Sequence, residues 1–163
     1  MGNINREYLR SVIFGIEDSL VSTTGLIAGI SIGAESRRVV LLGGIVAIMV
    51  EAVSMGAGEY LSDDAVSELD KLKRPKERPL ISGLLMFTSY LMAGLVPLVP
   101  VIIFSYPASI AFSVGFALAG LFLLGFSKGR LLKTSPFKGG FKILLVGGLA
   151  TAIGVIVGSL FEI

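Results

Sequence analysis

Long apolar stretches alternate with short charged ones along this chain. No Asp, Glu, Lys or Arg occurs between residues 80 and 127. A single helix of that length would measure about 72 Å at ~1.5 Å per residue, whereas the hydrocarbon core of a bilayer is about 30 Å thick. The stretch therefore predicts two membrane crossings. Ser105-Tyr106-Pro107 is the expected break, because proline begins helices well and continues them badly.

Three further stretches are apolar enough to cross, and none shows the period-two alternation of a membrane strand. Because lipid-facing backbone must satisfy its own hydrogen bonds, helices are expected. The predicted fold class is all-α, an integral membrane protein with five transmembrane helices per subunit in one domain over 1–163. The predicted spans are 9–33, 39–61, 80–104, 107–127 and 142–161, with a short cytosolic linker at 62–79.

Composition agrees with a lipid environment. Only 16% of the residues are charged and 53% are hydrophobic, whereas soluble domains carry about 25% charged residues. The chain has no His and no Cys, and no GxxxxGK[ST] phosphate loop is present. We therefore expect no ATP-driven chemistry, no enzyme activity and no nucleic-acid partner.

Lysine and arginine are distributed unequally between the two sides. Only Arg37 and Arg38 fall on one side, while the other 12 of the 14 basic residues fall on the opposite side. The positive-inside rule places the basic side in the cytosol. The N-terminus is then cytosolic and, after five crossings, the C-terminus is outside.

Four carboxylates lie within the predicted spans: Glu17, Asp18, Glu51 and Glu59. A charged carboxylate at the bilayer centre costs at least ~2.5–3.5 kcal/mol, so each needs a cation, a proton or a watery cavity. A plainer interpretation is that some are protonated or lie close enough to the cytosolic face to stay hydrated. Asp18 and Glu51 lie about 14 and 15 Å along their helices from the cytosolic ends, at ~1.5 Å per residue, which predicts a shared site near the middle of the bilayer.

The second span carries a stripe of ligand-type side chains. Glu51, Met55 and Glu59 follow each other at intervals of four residues and share one helix face. Asp63 extends that face into the cytosol. Carboxylates with one thioether suit a borderline divalent cation, although a lone Met in a membrane helix is more often a packing residue.

The first span carries glycines at Gly25, Gly29 and Gly33. Small residues at this spacing let helix backbones approach closely in lipid. The contact they predict is either tight packing within one subunit or a subunit interface.

Two segments resemble the vacuolar iron transporter family. Residues 10–33 (RSVIFGIEDSLVSTTGLIAGISIG) are similar to the family's first-helix pattern FG-x-x-DG-LVS, and residues 50–62 (VEAVSMGAGEYLS) to its second-helix pattern S-M-x-x-G-E. The resemblance implies a homodimer of five-helix subunits that exchanges cytosolic iron(II), and often manganese(II), for protons along a path between the subunits. It also implies that Asp18, Met55 and Glu59 lie on the metal path.

The chain departs from the family pattern in two places. Glu17-Asp18-Ser19 stands where the family often has Asn-Asp-Gly. Many members also have a long Glu-rich cytoplasmic domain between the second and third helices, whereas this chain has only the short linker. Within that linker, Asp63, Asp64 and Glu68 would form either a reduced metal-collecting site or a solvated helix extension.

Together these observations predict a proton-coupled transporter of iron(II) or manganese(II), which moves the metal out of the cytosol into a vacuole or to the cell exterior. We expect no resident cofactor; the partners are the metal substrate, protons, the lipid bilayer and a second copy of the chain. The compact chain favours a prokaryotic plasma membrane over a vacuole. The alternatives are a proton- or sodium-linked carrier of another solute and a membrane scaffold that transports nothing.

Overall fold

The structure is a computed structural model that describes residues 6–34, 36–69 and 78–161, and within these residues it contains five helices. They are α1 Arg6–Ala34, α2 Arg37–Leu69, α3 Pro79–Ile103, α4 Ala108–Leu131 and α5 Pro136–Leu160. All five are long and apolar enough to cross a membrane. The predicted all-α class and the number of helices are confirmed for the described part of the chain.

Several helices extend beyond the predicted spans. α2 continues past residue 61 to Leu69, so the first part of the predicted linker is helical, and residues 70–77 lie outside the described residues. The extension contains neither Gly nor Pro, and nothing in it stops a helix that has already left the apolar layer. α5 begins at Pro136 rather than near residue 142, because proline fits the first turn of a helix.

The predicted break between the third and fourth helices is confirmed, since α3 ends at Ile103 and α4 begins at Ala108. Arg37, one of the two arginines on the sparsely charged side, lies against this end of α3. Its Nε donates to the carbonyl of Val101 at 2.9 Å, and its Nη2 donates to the carbonyl of Ile102. A guanidinium suits the free carbonyls of a helix C-terminus, so Arg37 has a structural role.

The first helix occupies the centre of the bundle. α1 contacts each of the other four helices, whereas α2 packs mainly on α3, and α4 on α5. Two buried apolar clusters lie along it, one around Leu20 and Leu121 and the other around Ile27, Ile48 and Leu98. Many large apolar side chains face outward on the other helices, as expected of surfaces that contact lipid.

Three of the four glycines of α1, Gly25, Gly29 and Gly33, lie against α5 of the same chain. A Cβ added at Gly29 would stand 2.7 Å from the carbonyl oxygen of Gly154, and one added at Gly33 would stand 3.2 Å from that of Gly158. Gly25 faces the carbonyl of Ala150 in the same way. The contacts advance together along both helices, so α1 and α5 run parallel with their backbones touching.

We expect Gly29→Ala to destabilise the bundle by about 1–3 kcal/mol, because the methyl group must push two backbones apart. Gly148→Ala is the matched control, since a Cβ there has nothing within 4 Å, and alanine is the better helix former. The measurement is the free energy of unfolding in mixed micelles. Equal stability of the two variants would contradict the α1–α5 contact.

Candidate intramembrane acidic site

Asp18, Ser22, Glu51 and Tyr90 form a polar group inside the bundle, here called the Asp18 cluster. α1 contributes Asp18 and Ser22, one helical turn apart; α2 contributes Glu51 and α3 contributes Tyr90. Asp18 lies close enough to Glu51 for their charges to repel. Asp18 and Glu51 are half-buried, and Tyr90 is fully buried. Three helices thus bring two carboxylates together between apolar surfaces.

Hydroxyl groups bind Glu51 on one side. The Tyr90 hydroxyl donates to Oε2 of Glu51, and Oγ of Ser22 lies 3.2 Å from the same oxygen. Oγ of Ser22 also lies 2.6 Å from the Tyr90 hydroxyl oxygen. Because the tyrosine has one hydrogen and gives it to Glu51, Ser22 is the donor to the tyrosine oxygen. The carboxylate of Glu51 is therefore held by one neutral donor, the Tyr90 hydroxyl, which Ser22 supports in turn.

A second contact holds Tyr90 itself in register. Oγ of Ser19 donates to the backbone carbonyl of Tyr90 at 2.7 Å, which ties α3 to α1. α3 approaches closely there, since a Cβ on Gly94 would stand 3.0 Å from Oγ of Ser19 and 2.8 Å from the side chain of Ile48. Ser19 thus fixes the height of Tyr90 relative to Asp18.

Two neighbouring carboxylates favour whatever positive charge reaches them, whether a proton or a metal ion. Among the described residues, no lysine or arginine forms an ion pair with Asp18 or Glu51. The Asp18 cluster is therefore an acidic pair that has no fixed counter-cation in the described part of the chain.

Glu59 is in a different situation, nearer the basic side. Its Oε1 accepts from Nη2 of Arg10 at 2.9 Å and from Oγ of Ser11 at 2.6 Å. Arg10 also lies 3.3 Å from Glu7 and 3.9 Å from Asp63. We call Arg10, Ser11, Glu59 and Asp63 the Arg10 cluster. Here a fixed guanidinium already neutralises the acids.

The structure divides the predicted ligands between these two clusters. Glu51 belongs to the Asp18 cluster and Glu59 to the Arg10 cluster, because eight residues of helix separate them by about 12 Å. Met55 is half-buried between them on α2. Within the described residues, no three carboxylates come together closely enough to hold a metal ion.

The remaining predicted acids lie elsewhere. Glu17 lines a cavity on another face of α1, together with Arg10 and Glu59. In the α2 extension, Asp64 is half-buried and Glu68 is exposed. Asp63 approaches Arg10, yet its Oδ2 is buried without a hydrogen-bond partner among the described residues.

Sequence reasoning missed Tyr90 and the contact of Arg10 with Glu59. A tyrosine in the middle of a charge-free helix is a signal, because a buried hydroxyl usually finds a polar partner. In the sequence, Arg10 contributes only to the unequal distribution of basic residues between the two sides. Its long side chain spans the distance between two helices, which the sequence does not show.

Five membrane-length helices around an intramembrane carboxylate pair define a polytopic membrane protein with a buried acidic site. Comparison with known proteins makes this more specific. The model of the VIT family matches residues 9–78 and 64–159, which together cover most of the chain. The chain belongs to the VIT family.

Named relatives span nearly the whole chain. A vacuolar iron transporter of Toxoplasma gondii is 25% identical, over 99% of this chain and 76% of its own length. Vacuolar iron transporter 1 of Eucalyptus grandis is 26% identical, over 90% of this chain and 83% of its own length. Vacuolar iron transporter homolog 4 of Arabidopsis thaliana is 28% identical, over 90% of this chain and 80% of its own length. These relatives are named as transporters and not as enzymes.

The alignments differ in length. Those to the Toxoplasma and Eucalyptus proteins extend over 234 and 209 positions. Because this chain has 163 residues, both relatives contain residues without a counterpart here. The two matches of the family model overlap at 64–78, a range that begins within the last part of α2 and ends just before α3.

We expect Tyr90→Phe to lower the free energy of unfolding by about 1–3 kcal/mol, because Glu51 loses a buried donor. In a double-mutant cycle with Glu51→Gln, the coupling between the two positions should be about 0.5–3 kcal/mol. Tyr60→Phe is the control, because Tyr60 is an exposed tyrosine on the same helix as Glu51, and it should show no coupling to Glu51. A coupling of zero for Tyr90 would mean that the hydroxyl does not bind this carboxylate in solution.

Proposed function

We propose that this protein is a transporter of divalent transition metals, iron(II) or manganese(II), which it moves out of the cytosol in exchange for protons. The observation that carries the proposal is the pair formed by Asp18 and Glu51, two close carboxylates inside the bundle without a basic partner among the described residues. Relatives that span most of the chain carry the name of iron transporters, which supports a metal as the cation.

The donor set favours a transition metal over magnesium or calcium. The chain has neither His nor Cys, which zinc and copper prefer, and its intramembrane ligands are carboxylates with one thioether at Met55. Iron(II) and manganese(II) accept oxygen ligands readily, and a thioether adds affinity for the softer metals. The names of the relatives mention iron, whereas the proposal of manganese(II) as a substrate rests on the ligand chemistry.

One subunit offers too few ligands for a closed site. Iron(II) and manganese(II) commonly take about six ligands, whereas Asp18 and Glu51 supply two carboxylates and Met55 one sulfur. A homodimer, as the family resemblance implies, would place a second set opposite the first. We therefore propose that the metal path lies between two subunits related by a two-fold axis.

The two clusters give the route a direction. A metal ion from the basic side first meets Glu59, where it competes with Arg10 for the carboxylate. It then passes Met55 and binds at Asp18 and Glu51. Protons from the far side neutralise these two carboxylates and release the metal, since a neutral acid is a poor ligand. On this proposal the basic side is cytosolic, the C-terminus is external, and the host membrane is a prokaryotic plasma membrane.

We expect Asp18→Asn to reduce metal uptake into proteoliposomes at least tenfold while the protein stays folded, because the amide keeps the size and removes the charge. Glu17→Gln is the comparison and should be milder, since adjacent helical residues point about 100° apart and Glu17 lines a different cavity. Normal iron(II) uptake by correctly inserted Asp18→Asn would remove Asp18 from the path. Greater loss with Glu17→Gln would move the path to the other face of α1.

Met55→Leu separates metal transport from the proton- or sodium-linked alternative. The swap keeps volume and removes sulfur, so stability should change by less than ~1.5 kcal/mol. We expect initial uptake of iron(II) to fall severalfold and uptake of manganese(II) to fall less, because manganese is the harder cation. The measurement uses proteoliposomes with matched amounts of inserted protein. Unchanged uptake of both metals would assign Met55 to packing and strengthen the alternative carrier.

A further inference from the structure

A cavity of about 710 Å³ opens between α1 and α4 at the basic end of the bundle, apart from the Asp18 cluster. Three basic side chains from two helices line it: Arg6 and Arg10 from the start of α1, and Lys128 from the last turn of α4. Because the basic ends of α1, α4 and α5 lie on this side, the cavity lies at the level where lipid headgroups meet the hydrocarbon layer.

The three cations are not equivalent. Arg10 is paired with Glu59 and Glu7. Arg6 and Lys128 form no ion pair with any acid in the described part of the chain. Two acids line the cavity as well: Glu59, which Arg10 already binds, and Glu17, which lies further along α1 from Arg6. The cavity's free positive charge therefore belongs to Arg6 and Lys128, at the mouth.

Between these charged groups the wall is largely apolar. Leu9 and Phe14 from α1 and Leu132 after α4 form much of the wall, and Phe14 is 48% exposed. A charged rim above an apolar wall matches a molecule with an anionic head and a hydrocarbon body.

We propose that this cavity binds a phospholipid with an anionic headgroup from the leaflet on the basic side. Arg6 and Lys128 hold the headgroup phosphate, and the first segment of an acyl chain lies on Leu9 and Phe14. Basic pockets between membrane helices are suited to anionic headgroups, and here charge and apolar surface occur in the required order of depth. The cavity shares Arg10 and Glu59 with the proposed metal route, whereas Arg6 and Lys128, which hold the headgroup, take no part in that route.

The test is lipid retention by the purified full chain in detergent, titrated with dioleoylphosphatidylglycerol or dioleoylphosphatidylcholine and followed by native mass spectrometry. Arg6→Gln/Lys128→Gln should weaken retention of phosphatidylglycerol roughly 30-fold, and Lys128→Gln alone roughly fivefold. The matched control is Lys138→Gln/Lys142→Gln, two exposed lysines on α5 that do not line the cavity. It removes the same charge on the same side and should change retention by less than twofold.

Three outcomes would overturn the proposal. An equal loss of phosphatidylglycerol retention in the control variant would mean a general attraction of the lipid to the basic surface. Equally tight retention of phosphatidylcholine would mean that the cavity is an apolar groove without a headgroup site. Complete displacement of the lipid by millimolar inorganic phosphate would indicate a site for a soluble anion.

A further experiment tests whether a second copy of the chain occupies the cavity. The chain has no native Cys, so a cysteine introduced as Phe14→Cys can form a disulfide only with its copy in another chain. A high yield of that disulfide would assign this face to a subunit contact and overturn the proposal.

Discussion

The low dielectric of the membrane governs this structure, because it makes every intramembrane carboxylate expensive unless other groups surround it. α1 carries two adjacent acids, Glu17 and Asp18, in the middle of a membrane-length helix. Such a helix is unfavourable at the lipid surface, and α1 indeed contacts all four other helices. The close α1–α5 contact through Gly25 and Gly29 is part of the same arrangement, since backbone packing replaces lipid on that face.

The acids are stabilised in two different ways, and the difference defines the site. Near the basic end, Arg10 reaches Glu59 and supplies a permanent counter-charge. Deeper in the bundle, Glu51 accepts a hydrogen bond from the Tyr90 hydroxyl, which itself accepts one from Ser22, and Asp18 lies beside Glu51. A neutral donor orients a carboxylate without removing its charge, and among the described residues no lysine or arginine pairs with Asp18 or Glu51.

α3 shows how a charge-free helix takes part in a polar site. It bears two buried prolines, Pro97 and Pro100, and the carbonyl of Pro97 accepts a hydrogen bond of 2.5 Å from Oγ of Ser113 on α4. Small hydroxyl side chains from neighbouring helices thus satisfy its irregular backbone. One turn before Gly94, the same helix presents the Tyr90 hydroxyl to Glu51. The helix with no charge completes the most polar part of the interior.

The sequence by itself determined the number of helices, their approximate bounds and the break at Ser105-Tyr106-Pro107, because hydrocarbon thickness translates directly into the length of an apolar run. It also identified the intramembrane acids, since a carboxylate in such a run is conspicuous. The helix ends were less accurate, as α2 continues to Leu69, because helical geometry does not stop where the apolar layer does.

Only the tertiary structure decided which side chains meet. The spacing of Glu51, Met55 and Glu59 described one helix face, but the partners of that face come from α1 and α3. Arg10 and Tyr90 lie 49 and 39 residues from the acids they contact, and their selection depends on how the helices pack. The periodicity of a sequence indicates which face of a single helix is exposed. A site made by three helices depends instead on the relative heights of those helices. Here the close packing at Gly94 and the hydrogen bond of Ser19 set these heights.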